Sequence, residues 1–274
     1  MKLTFNGTSA AEGFPALFCE CRHCQKAREL GGKNVRTRTS CLIDDQYLID
    51  FPPDTYMHVL HGKLKLSKIK HIIVTHSHED HFQPYELLMR RPPFAYPGED
   101  EILYVYGNDG VYEKFVQAGC TNENNKKYLQ YVHVYPGKQF KAGEANVLPL
   151  RADHTNGNEI CHIYIINIGE KHLLYGHDTG YFPEETWEAL RSIKLDGVIL
   201  DCTCGTIECE RGHMGITANV KVKERLIEQG SADEKTTFIV THFSHNCGPL
   251  YDDMVKLAGE NGFIATFDGM EINI

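Results

Sequence analysis

The chain has 274 residues, 42% of them hydrophobic and 10% aromatic, a balance that supports a sizeable core and excludes a disordered or fibrous protein. Its formal net charge of −9 excludes a broad grip on nucleic-acid phosphates, which takes clustered lysine and arginine. No apolar run reaches the roughly 18 residues of a membrane-spanning helix. The opening Met1-Lys2-Leu3-Thr4-Phe5-Asn6-Gly7 alternates like a strand and has no leader pattern, so a cytoplasmic location is expected. Ten cysteines in such a chain read as thiols or metal ligands more than disulfides.

Strand-like runs fall at 2–6, 40–43, 47–50, 70–75, 102–106, 131–135, 146–150, 160–168, 171–175, 197–201 and 237–241. Helical patterns fall at 55–62, 83–90, 110–118, 184–191, 216–229 and 249–260, with Pro183 and Pro249 where a first turn accepts proline. No linker, repeat or low-complexity tract interrupts them. The expectation is a sheet-rich α/β protein forming one domain over 1–274.

In chain order, the first chemical motif is Cys19-Glu20-Cys21-Arg22-His23-Cys24. This CxCxxC offers three soft thiolates to one ion, one ligand short of the usual tetrahedral set for zinc, and His23 is a local candidate for the fourth. The second motif is His76-Ser77-His78-Glu79-Asp80-His81, directly after the β-branched run Ile72-Ile73-Val74-Thr75. Three imidazoles and two carboxylates crowded into one turn are costly unless they hold metal, and HxHxDH supplies ligands for two ions. Arg90 and Arg91, beside Pro92-Pro93-Phe94-Ala95-Tyr96, are weak candidates for orienting a phosphate.

Two ions need more donors, and three stand just past later strand-like runs: His154, Asp178 and His242. His162 and His177 read as packed residues or as supports behind ligands. Cys202, Cys204 and Cys209 form a second cluster, read as buried or idle thiols in preference to a further metal or redox role, while Cys41, Cys120, Cys161 and Cys247 look like ordinary core or surface residues.

The order HxHxDH, then His, Asp and His, each after a strand, resembles the metallo-β-lactamase superfamily along nearly the whole chain. That likeness implies an αββα sandwich of two mixed sheets flanked by helices, with a dinuclear centre at the edge where the sheets meet. By it, His76, His78 and His154 would bind one ion, Asp80, His81 and His242 a second, and Asp178 would bridge them. The CxCxxC segment, the Gly7–Gly13 stretch before it and the ending Phe267-Asp268-Gly269-Met270-Glu271-Ile272 are similar to the PhnP branch, phosphodiesterases of phosphonate degradation. The branch implies a structural zinc on Cys19, Cys21 and Cys24 closed by His245, three residues after His242. It also implies a proton-donating or substrate-contacting His213; the other reading is a surface-loop histidine. The second cysteine cluster departs from the branch.

Two dications bring about +4, Asp80 and Asp178 return about −2 and a shared hydroxide about −1, leaving roughly one positive charge for a monoanionic phosphodiester. The expected activity is therefore a phosphodiesterase acting on small, cyclic ribosyl or nucleotide-like substrates, with that hydroxide as nucleophile. Asp80, Asp178 and His213 are its catalytic residues, and Mn, Zn or Fe all suit the donors. The alternatives are a thioesterase, lactonase or ribonuclease of the same superfamily, or a non-catalytic small-molecule carrier resembling PqqB. The assembly state stays open, an isologous homodimer being the commonest.

Overall fold

The computed structural model describes residues 1–62, 64–98, 101–191 and 193–274. In chain order the first strands are β1 (Lys2–Gly7), β2 (Ser40–Ile43), β3 (Tyr47–Ile49), β4 (His71–Ile73), β5 (Leu103–Gly107), β6 (Leu129–His133) and β7 (Phe140–Ala142). The remainder are β8 (Ala145–Asn156), β9 (Glu159–Ile168), β10 (Lys171–Gly176), β11 (Gly197–Asp201), β12 (Thr237–Thr241), β13 (Ile264–Ala265) and β14 (Met270–Asn273). Helices are α1 (Arg22–Leu30), α2 (Thr55–His61), α3 (Asp109–Gln117), α4 (Glu123–Lys126), α5 (Glu184–Leu190), α6 (Ile216–Glu228) and α7 (Tyr251–Glu260).

The strands make two mixed seven-stranded sheets, ordered β14-β1-β2-β3-β4-β5-β6 and β13-β12-β11-β10-β9-β8-β7. Strand alternation explains how they stack. Tyr47, Ile49 and Ile73 point into a core shared with Tyr164, Tyr175, Ile199 and Ile239 of the other sheet. Leu48, Ile72 and Val105 point the other way, onto Val111 and Phe115 of α3. On the far side, Val198 and Val240 meet Trp187, Val222, Leu226 and Met254 from α5, α6 and α7. The layers are thus helix, sheet, sheet, helix, as the superfamily resemblance implied. No described helix is long and apolar enough to cross a membrane.

Several elements depart from the pattern reading. The 83–90 helix is a 3-10 turn over Pro84–Met89, a six-residue segment with Pro84 at its start and Pro92 shortly after its end. Helix α1, whose first turn overlaps the cysteine motif, begins where Cys21 accepts the Cys24 amide as an N-cap. β14 was not anticipated; its alternation is short, and only pairing with β1 defines it.

Candidate metal centre

The site grows from strand ends. β3, β4 and β5 run parallel in one sheet, and β10, β11 and β12 in the other, so in each sheet their C-terminal ends share one edge. Polar residues that follow those apolar strands therefore gather where the sheets meet. Asp50 follows β3, His76 to His81 follow β4, Asp178 follows β10, Asp201 closes β11 and His242 follows β12. His154 comes from the irregular stretch between Arg151 and Thr155, where the β8–β9 register shifts, as bulges do when they re-aim a side chain.

Asp50, Asp178 and His242 all adopt left-handed backbone angles, with φ of 62°, 50° and 64°. Non-glycine residues rarely do so, and three of them at one rim mark a place where packing enforces strain on functional side chains.

Three overlapping groups of four His/Asp donors result, with the donor atoms of each group within 4.8 Å of one another. Two take in the seven expected ligands: one comprises His76, His78, His154 and Asp178, and another Asp80, His81, His242 and Asp178; the third comprises Asp178, Asp201, His213 and His242. Asp178 belongs to all three. Its Oδ2 lies 3.2 Å from His76 Nε2, 2.9 Å from His81 Nε2, 3.6 Å from His154 Nε2 and 3.9 Å from His242 Nε2. Asp80 Oδ2 is 3.1 Å from His81 Nε2.

The rings are aimed by what holds their opposite nitrogens. His81 Nδ1 meets Asp50 Oδ2 at 2.8 Å, His154 Nδ1 donates to the Gly212 carbonyl at 2.9 Å, and His242 Nδ1 meets Thr203 Oγ1 at 2.7 Å. His76 Nδ1 meets Thr75 Oγ1 at 3.1 Å, and Thr75 is itself anchored through its amide to Asp50 at 2.8 Å. Each of these four histidines thus presents Nε2 inward, whereas His78 presents Nδ1, 2.8 Å from His76 Nε2. His81 Nε2 and His242 Nε2 are buried with no aligned hydrogen-bond partner among the described residues. Buried nitrogens are rarely left so, and the mixed imidazole and carboxylate donors suit a divalent ion; these residues fit metal.

Burial alone would raise the Asp178 carboxyl, but His242, His213 and His81 outweigh it and hold it well below the ordinary carboxylate range. His213 sits at the partly open rim, its Nδ1 3.1 Å from both Asp178 Oδ1 and Asp201 Oδ2. Burial opposes its charge, yet the hydrogen bonds to those two carboxylates prevail and push it up to about 11. The geometry therefore puts this histidine within reach of the donor groups, not on a remote surface loop.

Asp50 and Asp201 escaped the sequence reading. Both are fully buried acids directly after apolar strands, Leu48-Ile49-Asp50 and Ile199-Leu200-Asp201, the same placement that singled out Asp178. His177 packs behind the centre, with Nε2 3.2 Å from Asp50 Oδ2. Arg90 and Arg91 lie elsewhere: Arg90 donates to the Glu101 carbonyl at 3.2 Å and Arg91 sits 5.7 Å from the Phe94 ring. Neither has a hydrogen bond or ion pair to the His/Asp cluster among the described residues.

A second cluster brings Cys19, Cys21, Cys24 and His245 together, again within 4.8 Å. His245 Nδ1 is 3.4 Å from Cys19 Sγ and 3.6 Å from Cys21 Sγ; His23 is not part of the group. The Cys21 thiol is lowered to about 6 by His245 and by the Cys24 amide, whereas burial pushes Cys24 up to about 11. Four closed donors of this kind suit a structural zinc. One reading needs correction: Cys204 and Cys209, taken as idle thiols, form a disulfide with Cα atoms 6.2 Å apart. The four residues between them return the chain on itself, which spacing alone does not reveal.

Residues 46–243 match the family model described as the β-lactamase superfamily domain. The chain belongs to the metallo-β-lactamase superfamily. Among curated proteins, ribonuclease Z from Staphylococcus haemolyticus (strain JCSC1435) is 29% identical over 135 residues. That match covers 49% of this chain and 39% of the ribonuclease, so it spans well under half of the curated relative. The metallo-β-lactamase fold is shared with a solved diphosphatase from the PhnP family at TM-score 0.75 and 20% identity, covering 99% of this chain and 96% of that one. Zinc-bound PqqB from Methylobacterium extorquens matches at TM-score 0.75 and 14% identity over 100% of both chains. The short form of human tRNase Z matches at TM-score 0.66 and 16% identity, covering 100% and 99%.

Proposed function

We propose that this chain is a metal-dependent phosphodiesterase of the PhnP branch acting on small, cyclic ribosyl or nucleotide-like phosphodiesters. The observation that carries the reading is the pair of four-donor groups sharing Asp178. His76, His78, His154 and Asp178 would hold one divalent ion, and Asp80, His81, His242 and Asp178 the other. When bound, such a pair supplies hydroxide at neutral pH and offsets negative charge on phosphoryl oxygens. His213, 3.1 Å from both Asp178 and Asp201, would then protonate the departing oxygen, a contribution of about 10²- to 10⁴-fold for general acids. Asp201 keeps that imidazole oriented, and Asp50 keeps His81 oriented. Cys19, Cys21, Cys24 and His245 would hold a structural zinc.

The net charge of −9 favours a small phosphodiester over a transfer-RNA precursor, despite the ribonuclease likeness. A PqqB-like carrier shares the fold equally well, and against it weighs the complete set of seven donors with a poised His213. The test is metal analysis joined to a substrate panel. About three ions per chain and turnover of bis(4-nitrophenyl) phosphate and of a cyclic ribosyl phosphate support the reading. One ion, removable without loss of ligand binding, or turnover confined to thioesters, lactones or precursor tRNA, would replace it.

A further inference from the structure

The loop from Thr203 to Gly215 contributes more to the centre than His213. Its Gly212 carbonyl holds His154 Nδ1 at 2.9 Å, and the Gly212 amide donates to Asp153 at 3.1 Å. Thr203 holds His242 Nδ1 at 2.7 Å. Three imidazoles of the site therefore depend on where this one loop lies.

The loop is tied at its base. Ile216 donates to the Gly205 carbonyl at 2.8 Å, Cys204 to that of Met214 at 3.1 Å, and Gly215 to that of Cys209 at 3.2 Å. Gly205 has φ of 53°, and a Cβ there would stand 2.5 Å from Cys247 Cβ, so the base closes only with glycine. The Cys204–Cys209 bond crosses the loop, and Cys209 Sγ lies 3.2 Å from the His213 carbonyl oxygen. Thr206, Ile207 and Glu208 between the two cysteines are exposed, so a reductant has access. Among the described residues, neither cysteine belongs to a group of donors spaced for metal.

We propose that Cys204 and Cys209 are a thiol–disulfide modification site whose oxidised form locks Gly212 and His213 into the geometry that supports the centre. In reduction, a dithiol's thiolate attacks one sulfur and breaks the Cys204–Cys209 bond. The reductant's second thiol then resolves the mixed disulfide. Two electrons and two protons pass to the cysteines, and the reductant leaves as its own disulfide. The freed segment 206–213 gains conformational entropy, and His154 and His213 lose their fixed supports. A half-buried bond flanked by the exposed Thr206, Ile207 and Glu208 beside a site is within reach of a reductant and suits a regulatory role in a reducing compartment.

The inference goes beyond the phosphodiesterase reading and takes from it only an activity assay. The holoprotein is exposed to oxidised glutathione or to dithiothreitol, freed of reagent and supplied again with metal. It is then alkylated after unfolding, and the peptide carrying Cys204 and Cys209 is weighed. We expect no adduct on either cysteine in the oxidised sample and two in the reduced one. Retention of a divalent ion against a chelating dye should be about tenfold weaker after reduction, as when an imidazole's outer support is lost. A Cys204→Ser/Cys209→Ser variant should match the reduced protein and stop responding, which separates this bond from the Cys19–Cys24 cluster. Should that variant fail to fold, the two redox forms of the natural chain still decide. Equal alkylation in both samples, or equal metal retention, overturns the proposal. If metal retention responds while bis(4-nitrophenyl) phosphate is untouched in both forms, the switch stands and the phosphodiesterase reading falls.

Discussion

The Cys/His cluster is one four-donor cage and the His/Asp cluster is overlapping four-donor groups that share Asp178, and the two are built by opposite means. The thiol cage takes three donors from one six-residue segment, two of them steadied by local amides: Cys21 Sγ accepts the Cys24 amide at 3.5 Å, and Cys19 Sγ accepts the Cys21 amide at 3.4 Å. The His/Asp cage collects side chains from residue 76 to residue 242, and its imidazoles are aimed by Asp50, Thr75, Thr203 and a carbonyl at Gly212. A closed local cage suits a structural ion, and a shared, partly open one suits chemistry. The difference teaches that the second cage is as fragile as the loops that steady it, whereas the first is fragile only at His245, its one distant donor.

The sharpest break in this comparison is Asp178→Ala. It removes a donor from both groups at once, and we expect metal content to fall by about two ions per chain and turnover to fall by at least about 10³-fold, with the thiol cage still loaded. Metal analysis by emission spectroscopy beside an activity assay reads both. Loss of one ion alone would show that the donor groups do not share Asp178 as described. Next comes His213→Ala, with about 10²- to 10⁴-fold slower hydrolysis of a substrate with an alkyl leaving group and little change for 4-nitrophenolate, which departs unprotonated. Equal losses on both substrates would assign His213 to binding instead.

Asp201→Asn should cost about 10- to 100-fold in turnover and lower the basic limb of the pH profile, because the carboxylate that supports the His213 imidazolium is gone. An unmoved profile would make Asp201 a packing residue. Cys21→Ser tests whether the cages communicate: His245 and His242 are three residues apart, so losing the first cage should lower the melting temperature and the occupancy of the second. Unchanged melting with full metal content would separate the two.

A last effect, on stability and not on turnover, is a pH term remote from both cages. Burial lowers His58 from an ordinary 6.5 to about 4, and its Nε2 sits 2.8 Å from Thr37 Oγ1. The unfolded chain then binds the proton more readily, so this stabilisation is complete above about pH 6.5 and is lost progressively as pH falls toward 4. The shift corresponds to at most about 3 kcal/mol. Denaturant titrations of the natural chain and His58→Gln at pH 7 and pH 4.5 should converge at the lower pH; a constant difference would refute the term.

All seven expected His/Asp donors could be named from residue type and strand-end placement, because HxHxDH is dense and because apolar strands end visibly. Asp50 and Asp201 carried the same strand-end signal, but a single acid after a strand does not say whether it faces a metal or a histidine ring. The direction in which a side chain leaves the sheet edge depends on backbone angles such as the left-handed turn at Asp50, and those are set by packing.

By itself, the order of residues determined a sheet-rich α/β protein, through alternating and β-branched runs, and which donor types stand at the strand ends; the sandwich was expected only from the family likeness of those donors. Only the folded chain decided which nitrogen each imidazole turns inward, that His245 and not His23 joins the three thiols, and that Cys204 meets Cys209 across a turn. The physical reason is one of range. Periodicity and spacing report the neighbours along a strand or helix, whereas hydrogen bonds from Asp50 to His81 or from His154 to Gly212 join residues that only long-range packing brings within 3 Å.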